Sequence, residues 1–189
     1  MRLVLIRHGH TPAIVPKNPD PPLTTLGEHQ AMRLGAWLAE HYHIQRLFTS
    51  PLCRARQTAS LIGVRLELQP QVEPGLSEAD FEIAKQLPQG TVFSPQMQRF
   101  EHRLSGPLYL AYQRQVAQAV EHIMADSELG ETILVVAHAA ALGTALRCLL
   151  ESSVISVRTD HTAQHELVWR DGRWLVVAMN RREHLLESV

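Results

Sequence analysis

His8 and His138 each stand directly after a run of apolar residues, Leu3-Val4-Leu5-Ile6 (with Arg7 between) and Ile133-Leu134-Val135-Val136-Ala137. Arg7 is itself chemically telling, because an arginine is almost never buried without a partner and its place after a buried run suggests that it meets an anion there. Arg54 lies in Ser50-Pro51-Leu52-Cys53-Arg54, a predicted helix start with Ser50 as N-cap and Pro51 in the first helical position. A cation in a first helical turn opposes the helix dipole, and makes sense if Arg54 reaches an anion held at that helix N-terminus. Gly9 lets the chain turn sharply beside His8. A neutral imidazole is a competent nucleophile toward a phosphoryl group, and two guanidinium forks can grip the phosphoryl oxygens. A second histidine adds a contact where transition-state charge is spread, and a carboxylic acid can protonate a leaving alkoxide. Glu78, in Leu76-Ser77-Glu78, could bring such an acid to the same rim from its loop. Such a set needs no metal and no cofactor.

These residues must be positioned by alternating strands and helices. Leu3 to Ile6 and Thr132 to Ala137 read as buried strands, as does Ile44 to Thr49, and Val64 to Leu68 reads as a third strand in chain order. A first helix is expected over Glu28 to Tyr42, capped by Thr24 or by Thr25 with Glu28 as capping-box partner. Helices are also expected after Ser50, from Leu108 to Met124, and from Ala139 to Leu150. Glu166 to Trp169 and Trp174 to Ala178 flank Arg170-Asp171-Gly172-Arg173, a hairpin signal. The expected fold is α/β, a three-layer α/β/α sandwich with a mainly parallel central sheet and an antiparallel edge at that hairpin. Ligands in such folds sit beyond the carboxyl ends of the strands, where Arg7, His8, Arg54 and His138 all fall. The expected organisation is one domain over 1–189, with a lid or insertion at about 82–107. That stretch and the proline-rich loop from Pro12 to Pro22 are the expected walls of the site.

Composition narrows the classes. The chain has 189 residues, 45% hydrophobic and 20% charged, with a formal net charge of -1. A near-neutral balance gives no support for nucleic acid or a membrane surface as partner, so any anion site is local. No stretch reaches the roughly 18 apolar residues of a membrane span, and a cytoplasmic location is expected. Eleven histidines invite a metal reading, but His41 and His43 do not share a helix face, and His161 and His165 run into a predicted strand without an HExxH pattern. Cys53 and Cys148 lie in unrelated contexts and are expected as free thiols.

In combination the motifs become specific. Arg7-His8-Gly9, Pro22-Leu23-Thr24 with Gly27 and Gln30-Ala31, Ser50 to Ala59, Leu76-Ser77-Glu78, and Val135-Val136-Ala137-His138 resemble, in order, the motifs of the histidine phosphatase superfamily, the phosphoglycerate-mutase-like fold. Asn180 and His184-Leu185 resemble its usual ending. The resemblance implies His8 as the phosphorylated nucleophile, Arg7 and Arg54 as phosphate ligands, Glu78 as proton donor and His138 as the second histidine. It implies phosphate or substrate contacts from Gly9, Thr11, Asn18, Thr24 and Ala139. The chain departs from the family where His10 replaces a common Glu, Ile14 a common Asn, and Ala139 and Ala140 two common glycines. The usual aromatic-Glu-Gly stretch after Glu78 is absent, which leaves substrate specificity open and Asp80 as the alternative proton donor. With Ile14 in place, one phosphate hydrogen bond is missing or comes from Asn18. The expected activity is that of a histidine acid phosphatase-type, metal-independent phosphomonoesterase acting on a small phosphorylated metabolite. Mutase-type phosphoryl transfer and a catalytically silent phospho-ligand binder are the alternatives. The expected partner is a small phosphorylated substrate, with a homodimer as the candidate assembly.

Overall fold

A computed structural model describes residues 1–88, 106–125, 127–128, 130–152 and 155–186. The two apolar runs become β1 (Arg2–Arg7) and β4 (Thr132–Ala137), which pair in parallel with Arg7 opposite Ala137. They lie at the centre of a sheet completed by β2 (Arg46–Thr49), β3 (Gln71–Val72), β5 (Gln164–Arg170) and β6 (Arg173–Arg181), in the order β3-β2-β4-β1-β5-β6. The pairings β2 with β3, β2 with β4 and β1 with β4 are parallel, while β1 with β5 and β5 with β6 are antiparallel. The antiparallel edge is the expected hairpin, whose Asp171 and Gly172 both have positive φ, 52° and 75°. Two such residues in succession match the right-handed strand twist, which is why an Asp-Gly pair sits there.

Both faces of the sheet are covered. On one, Val4, Ile6, Leu47, Leu134 and Val136 pack under α1 (Thr25–His41) and α2 (Cys53–Leu66). On the other, Leu3, Leu5, Phe48, Ile133 and Val135 meet α4 (Pro107–Ala125) and α5 (Ala139–Leu149). The alternation of β1 thus feeds two cores, and each of its four central side chains is at most 2% exposed. Burial of that kind contributes about 2 kcal/mol per aliphatic side chain. The three-layer sandwich is as expected. Among the described residues, no helix is long and apolar enough to cross a membrane.

One element differs from the expectation. Val64 to Leu68 is not a strand: α2 continues to Leu66, and Glu67 ends it in the left-handed region with φ 56° while Leu68 N–H donates back to the Gly63 carbonyl. The alternation of Val64, Leu66 and Leu68 imitates a strand, yet Val64 is 78% exposed on the helix surface. The strand that follows is the two-residue β3. Of the expected lid, α3 (Phe81–Ala84) and the chain to Pro88 are described, and 89–105 lie outside the described residues.

The topology fixes where a ligand can sit. From β1 the chain departs through α1 toward β2, and from β4 it departs through α5 toward β5, on the opposite side of the central pair. The divergence opens a crevice at the carboxyl ends of β1 and β4.

Candidate active site

Register brings the two strand-ending histidines together. His8 N–H donates to the Ala137 carbonyl at 3.0 Å, continuing the β1–β4 ladder, and the His8 and His138 rings lie 5.1 Å apart. His8 Nδ1 lies 2.8 Å from the Gly9 carbonyl oxygen. An oxygen of that kind only accepts, so Nδ1 carries the proton and Nε2 keeps its lone pair. Burial, then the nearby Arg54 and Arg7, push the His8 pKa down to about 3 against the Gly9 contact, so the ring is neutral near pH 7.

The loop after His8 is held by side chains of α1 and α2. Gly9 N–H donates to Thr58 Oγ1 at 3.0 Å, His10 N–H to Gln30 Oε1 at 2.9 Å, and Leu23 N–H to Gln57 Oε1 at 2.8 Å. Thr24 is the N-cap of α1: its hydroxyl accepts from Gly27 N–H and also meets His10, so the Thr24 side chain is committed to the helix start. Gly9 is required for space and not for a positive φ. A Cβ there would stand 2.5 Å from the Gly27 carbonyl oxygen, and a Cβ on Gly27 would stand 2.1 Å from that of His10. Because both obstacles are backbone, no rotamer change relieves them. Gly27→Ala should therefore destabilise the fold by about 3 kcal/mol, a drop in Tm of roughly 6–12 °C. An unchanged melting curve would refute this close packing.

Arg54 enters from the first turn of α2, 1% exposed. Its Nε–H donates to His8 Nε2 at 3.3 Å, and its Nη1 donates to Asp20 Oδ1 at 3.1 Å and to the Pro19 carbonyl at 3.3 Å. Asp20 Oδ2 accepts from Cys53 N–H at 2.9 Å, so the anion at this helix N-terminus is Asp20. Ser50 is not the N-cap expected from its sequence, nor is Pro51 helical. The cap residue is Leu52, which has no capping side chain, and Asp20 from the proline-rich loop takes that role. Ser50 is thereby free to meet His138, with Oγ 2.7 Å from Nε2. His138 is fully buried, and burial, followed by the proximity of His8, Arg54 and Arg7, holds its pKa well below the usual range.

Arg7 Nη1 donates to the Thr159 carbonyl at 2.6 Å, which ties the nucleophile's neighbour to the loop before β5. Arg7 Nε and His138 Nδ1 are buried without a hydrogen-bond partner among the described residues.

Glu78 reaches the same crevice from the loop after β3. Its Oε1 accepts from Ala79 N–H at 3.0 Å and its Oε2 from Ala140 N–H at 3.4 Å, in the first turn of α5. Desolvation nevertheless raises the Glu78 pKa, against those N–H groups and Arg54. Asp80 is occupied differently: its Oδ1 caps α3 by accepting from Glu82 and Ile83 N–H. A cavity of about 620 Å³ opens from Arg54, Glu78, Ala139 and Ala140 toward Ile14 and Phe81.

The remaining expected residues divide. Ala139 is on the cavity wall and Thr11 is buried beside His10, whereas Asn18 pairs through its backbone with Val15 in an exposed turn, while Ile14 and Pro19 line the cavity. Sequence reasoning missed His161, whose ring lies 5.5 Å from His8 and 5.3 Å from His10. Burial, with Arg7 next, lowers its pKa to about 4. It also missed the capping and ion-pairing role of Asp20. Confinement of one acid among Pro19, Pro21 and Pro22 was the available signal for Asp20. For His161, in an irregular loop, there was none.

Several solved structures share this fold. A phosphoserine phosphatase from Entamoeba histolytica in complex with 3-phosphoglyceric acid superposes with a TM-score of 0.71 at 21% identity, covering 97% of this chain and 98% of that one. The Bacillus stearothermophilus protein YhfR gives 0.74 at 24% identity, covering 97% and 98%. A mycobacterial glucosyl-3-phosphoglycerate phosphatase with bound VO3 gives 0.70 at 21%, covering 95% and 98%. At these identities the likeness is one of fold. A stretch of 89 residues, 44% of this chain, is 39% identical to the PE-PGRS family protein PE_PGRS11 of Mycobacterium tuberculosis, but the match takes up only 15% of that protein's length. The sequence itself matches a single family description from residue 3 to residue 182, and the chain belongs to the histidine phosphatase superfamily, branch 1.

Proposed function

We propose that the protein hydrolyses phosphomonoesters of small metabolites through a phosphohistidine on His8. The observation that carries this reading is the neutral His8 ring, its Nδ1 anchored on Gly9 and its Nε2 accepting from Arg54 Nε–H, a donor that a phosphoryl oxygen would take over and so free the lone pair for attack. In the proposed reaction Nε2 attacks phosphorus while the ester P–O bond breaks, and protonated Glu78 gives its proton to the departing oxygen. Water then attacks the phosphoryl group on His8, giving its proton to the Glu78 carboxylate, which restores both residues and releases phosphate.

The two unpaired nitrogens, Arg7 Nε and His138 Nδ1, fit as donors to the phosphoryl oxygens. For His138 this requires Ser50 to donate its hydroxyl hydrogen to Nε2, which fixes the proton on Nδ1. Ser50 Oγ already accepts from Leu52 N–H, which favours that orientation. Charge neutralisation comes from Arg7 and Arg54, so no step is routed through a metal. Phosphatases among the structural relatives support a small phosphorylated substrate, and the 620 Å³ cavity beside Glu78 leaves room for a leaving group.

The test is turnover of 3-phosphoglycerate in the presence of a chelator, with and without a bisphosphoglycerate primer. Phosphate release that outpaces interconversion of the phosphoglycerates is expected. Interconversion faster than release would replace hydrolysis with mutase-type transfer from the same histidine.

A further inference from the structure

The cavity beside Glu78 extends along α5 to a second cation, Arg147. Arg147 is only 8% exposed, and its guanidinium is bonded to neutral groups: Nε–H donates to the Ile155 carbonyl at 3.0 Å and Nη1 to the Tyr109 hydroxyl at 3.5 Å. Among the described residues no carboxylate pairs with it. A cation so far withdrawn from water without a counter-ion is unusual unless a ligand supplies one. It also lines the cavity shared with Arg54 and Glu78.

Its distance from the chemistry follows from helix geometry. A Cβ on Gly143 would stand 3.7 Å from Arg147 Nη1, so the guanidinium lies back over Gly143, as long helical side chains do. Gly143 is three residues beyond Ala140, whose N–H reaches Glu78, and three residues of helix rise about 4.5 Å. Glycine at 143 leaves the path between Glu78 and Arg147 open. The facing walls, from Leu52, Phe81, Leu87 and Val157, are apolar.

We infer that Arg147 forms the far end of a leaving-group subsite, and that the substrates are phosphomonoesters whose leaving group carries a carboxylate on a short apolar body. The inference rests on the phosphatase reading above. A carboxylate suits the site better than a second phosphate, since the Asp80 carboxylate lines the same cavity and repels a dianion more strongly than a monoanion. The guanidinium fork also matches carboxylate geometry.

The test uses a matched pair, 3-carboxyphenyl phosphate and 3-carbamoylphenyl phosphate, which differ in charge and scarcely in shape. In the unaltered protein kcat/KM should favour the carboxylate about tenfold or more, and Arg147→Gln should bring the ratio near one. Should that variant lose its fold with the Ile155 contact, Gly143→Asp keeps Arg147 and gives it an internal counter-ion, and the ratio should again collapse. A ratio near one in the unaltered protein, or a preference that survives both substitutions, would overturn the assignment. Calorimetric binding of the same two compounds separates the subsite from the catalytic reading. If neither compound is hydrolysed but the carboxylate binds tenfold tighter and loses that advantage in Gly143→Asp, the subsite stands and hydrolysis falls. Equal binding removes the subsite.

Discussion

Replacing His8 with alanine should lower turnover of every phosphomonoester by on the order of ten-thousandfold or more, leaving only direct attack by water on a bound phosphoryl group. The loss should not depend on the leaving group, because the bond that fails to form is common to all substrates. The fold should survive, since the His8 side chain contributes a bond to Gly9 and one accepted from Arg54, Arg54 stays held by Asp20 and the Pro19 carbonyl, and the loop is held by Thr58, Gln30 and Gln57. Inorganic phosphate should still bind the variant, because Arg7, Arg54 and His138 remain. The unaltered protein, quenched in alkali during turnover, should carry a phosphoryl group on His8 that mass spectrometry localises. Because the folded-state pKa is held down to about 3, protonation of this nucleophile sets in only as the pH falls toward that value, and no loss centred near the ordinary histidine pKa of 6.5 is expected from it. Residual activity in His8→Ala within tenfold of the unaltered protein would exclude a phosphohistidine route.

What the sequence made legible was the part governed by strong local signals. The runs before His8 and His138 read as buried strands, and a chain of alternating strands and helices brings such strand ends to one rim. Arg54 was conspicuous because it opposes the helix dipole, and the structure accounts for it through Asp20, which stands at the helix N-terminus and pairs with it. Features set by contacts far apart in sequence were not legible. Ser50 has the sequence of an N-cap, but its hydroxyl is taken by His138, 88 residues away, and the cap is supplied from another loop. Val64 to Leu68 alternates like a strand, yet α2 needs Ile62 and Gly63 against the sheet and carries Val64 outward. Arg147 is, in sequence, one basic residue near the end of an apolar helix, where a cation is ordinary. Only the shared cavity connects it with Glu78.

Glu78 offers the sharpest test of role as opposed to importance. An acid catalyst matters in proportion to the leaving group's need for a proton: an alkyl alkoxide needs one, whereas p-nitrophenolate is stable near neutral pH. Glu78→Gln should lower phosphorylation of His8 by an alkyl phosphate on the order of a hundredfold or more, with a much smaller loss on p-nitrophenyl phosphate, as read in single-turnover experiments. The pH dependence gives a second readout. The carboxyl must be protonated to act, and desolvation raises its pKa, so the acid persists above the ordinary carboxyl range. As the pH rises through that raised value, the alkyl substrate should lose rate while p-nitrophenyl phosphate loses little, and Glu78→Gln should abolish this alkaline limb. Arg7→Ala and Arg54→Ala, by contrast, should slow both substrates, since each grips the phosphoryl group whatever departs from it. Asp80→Asn should leave the leaving-group dependence intact, because the Asp80 carboxylate caps α3. If Glu78→Gln slows both substrates alike and Asp80→Asn produces the unequal pattern, the proton comes from Asp80, and the cap at α3 must open during the reaction.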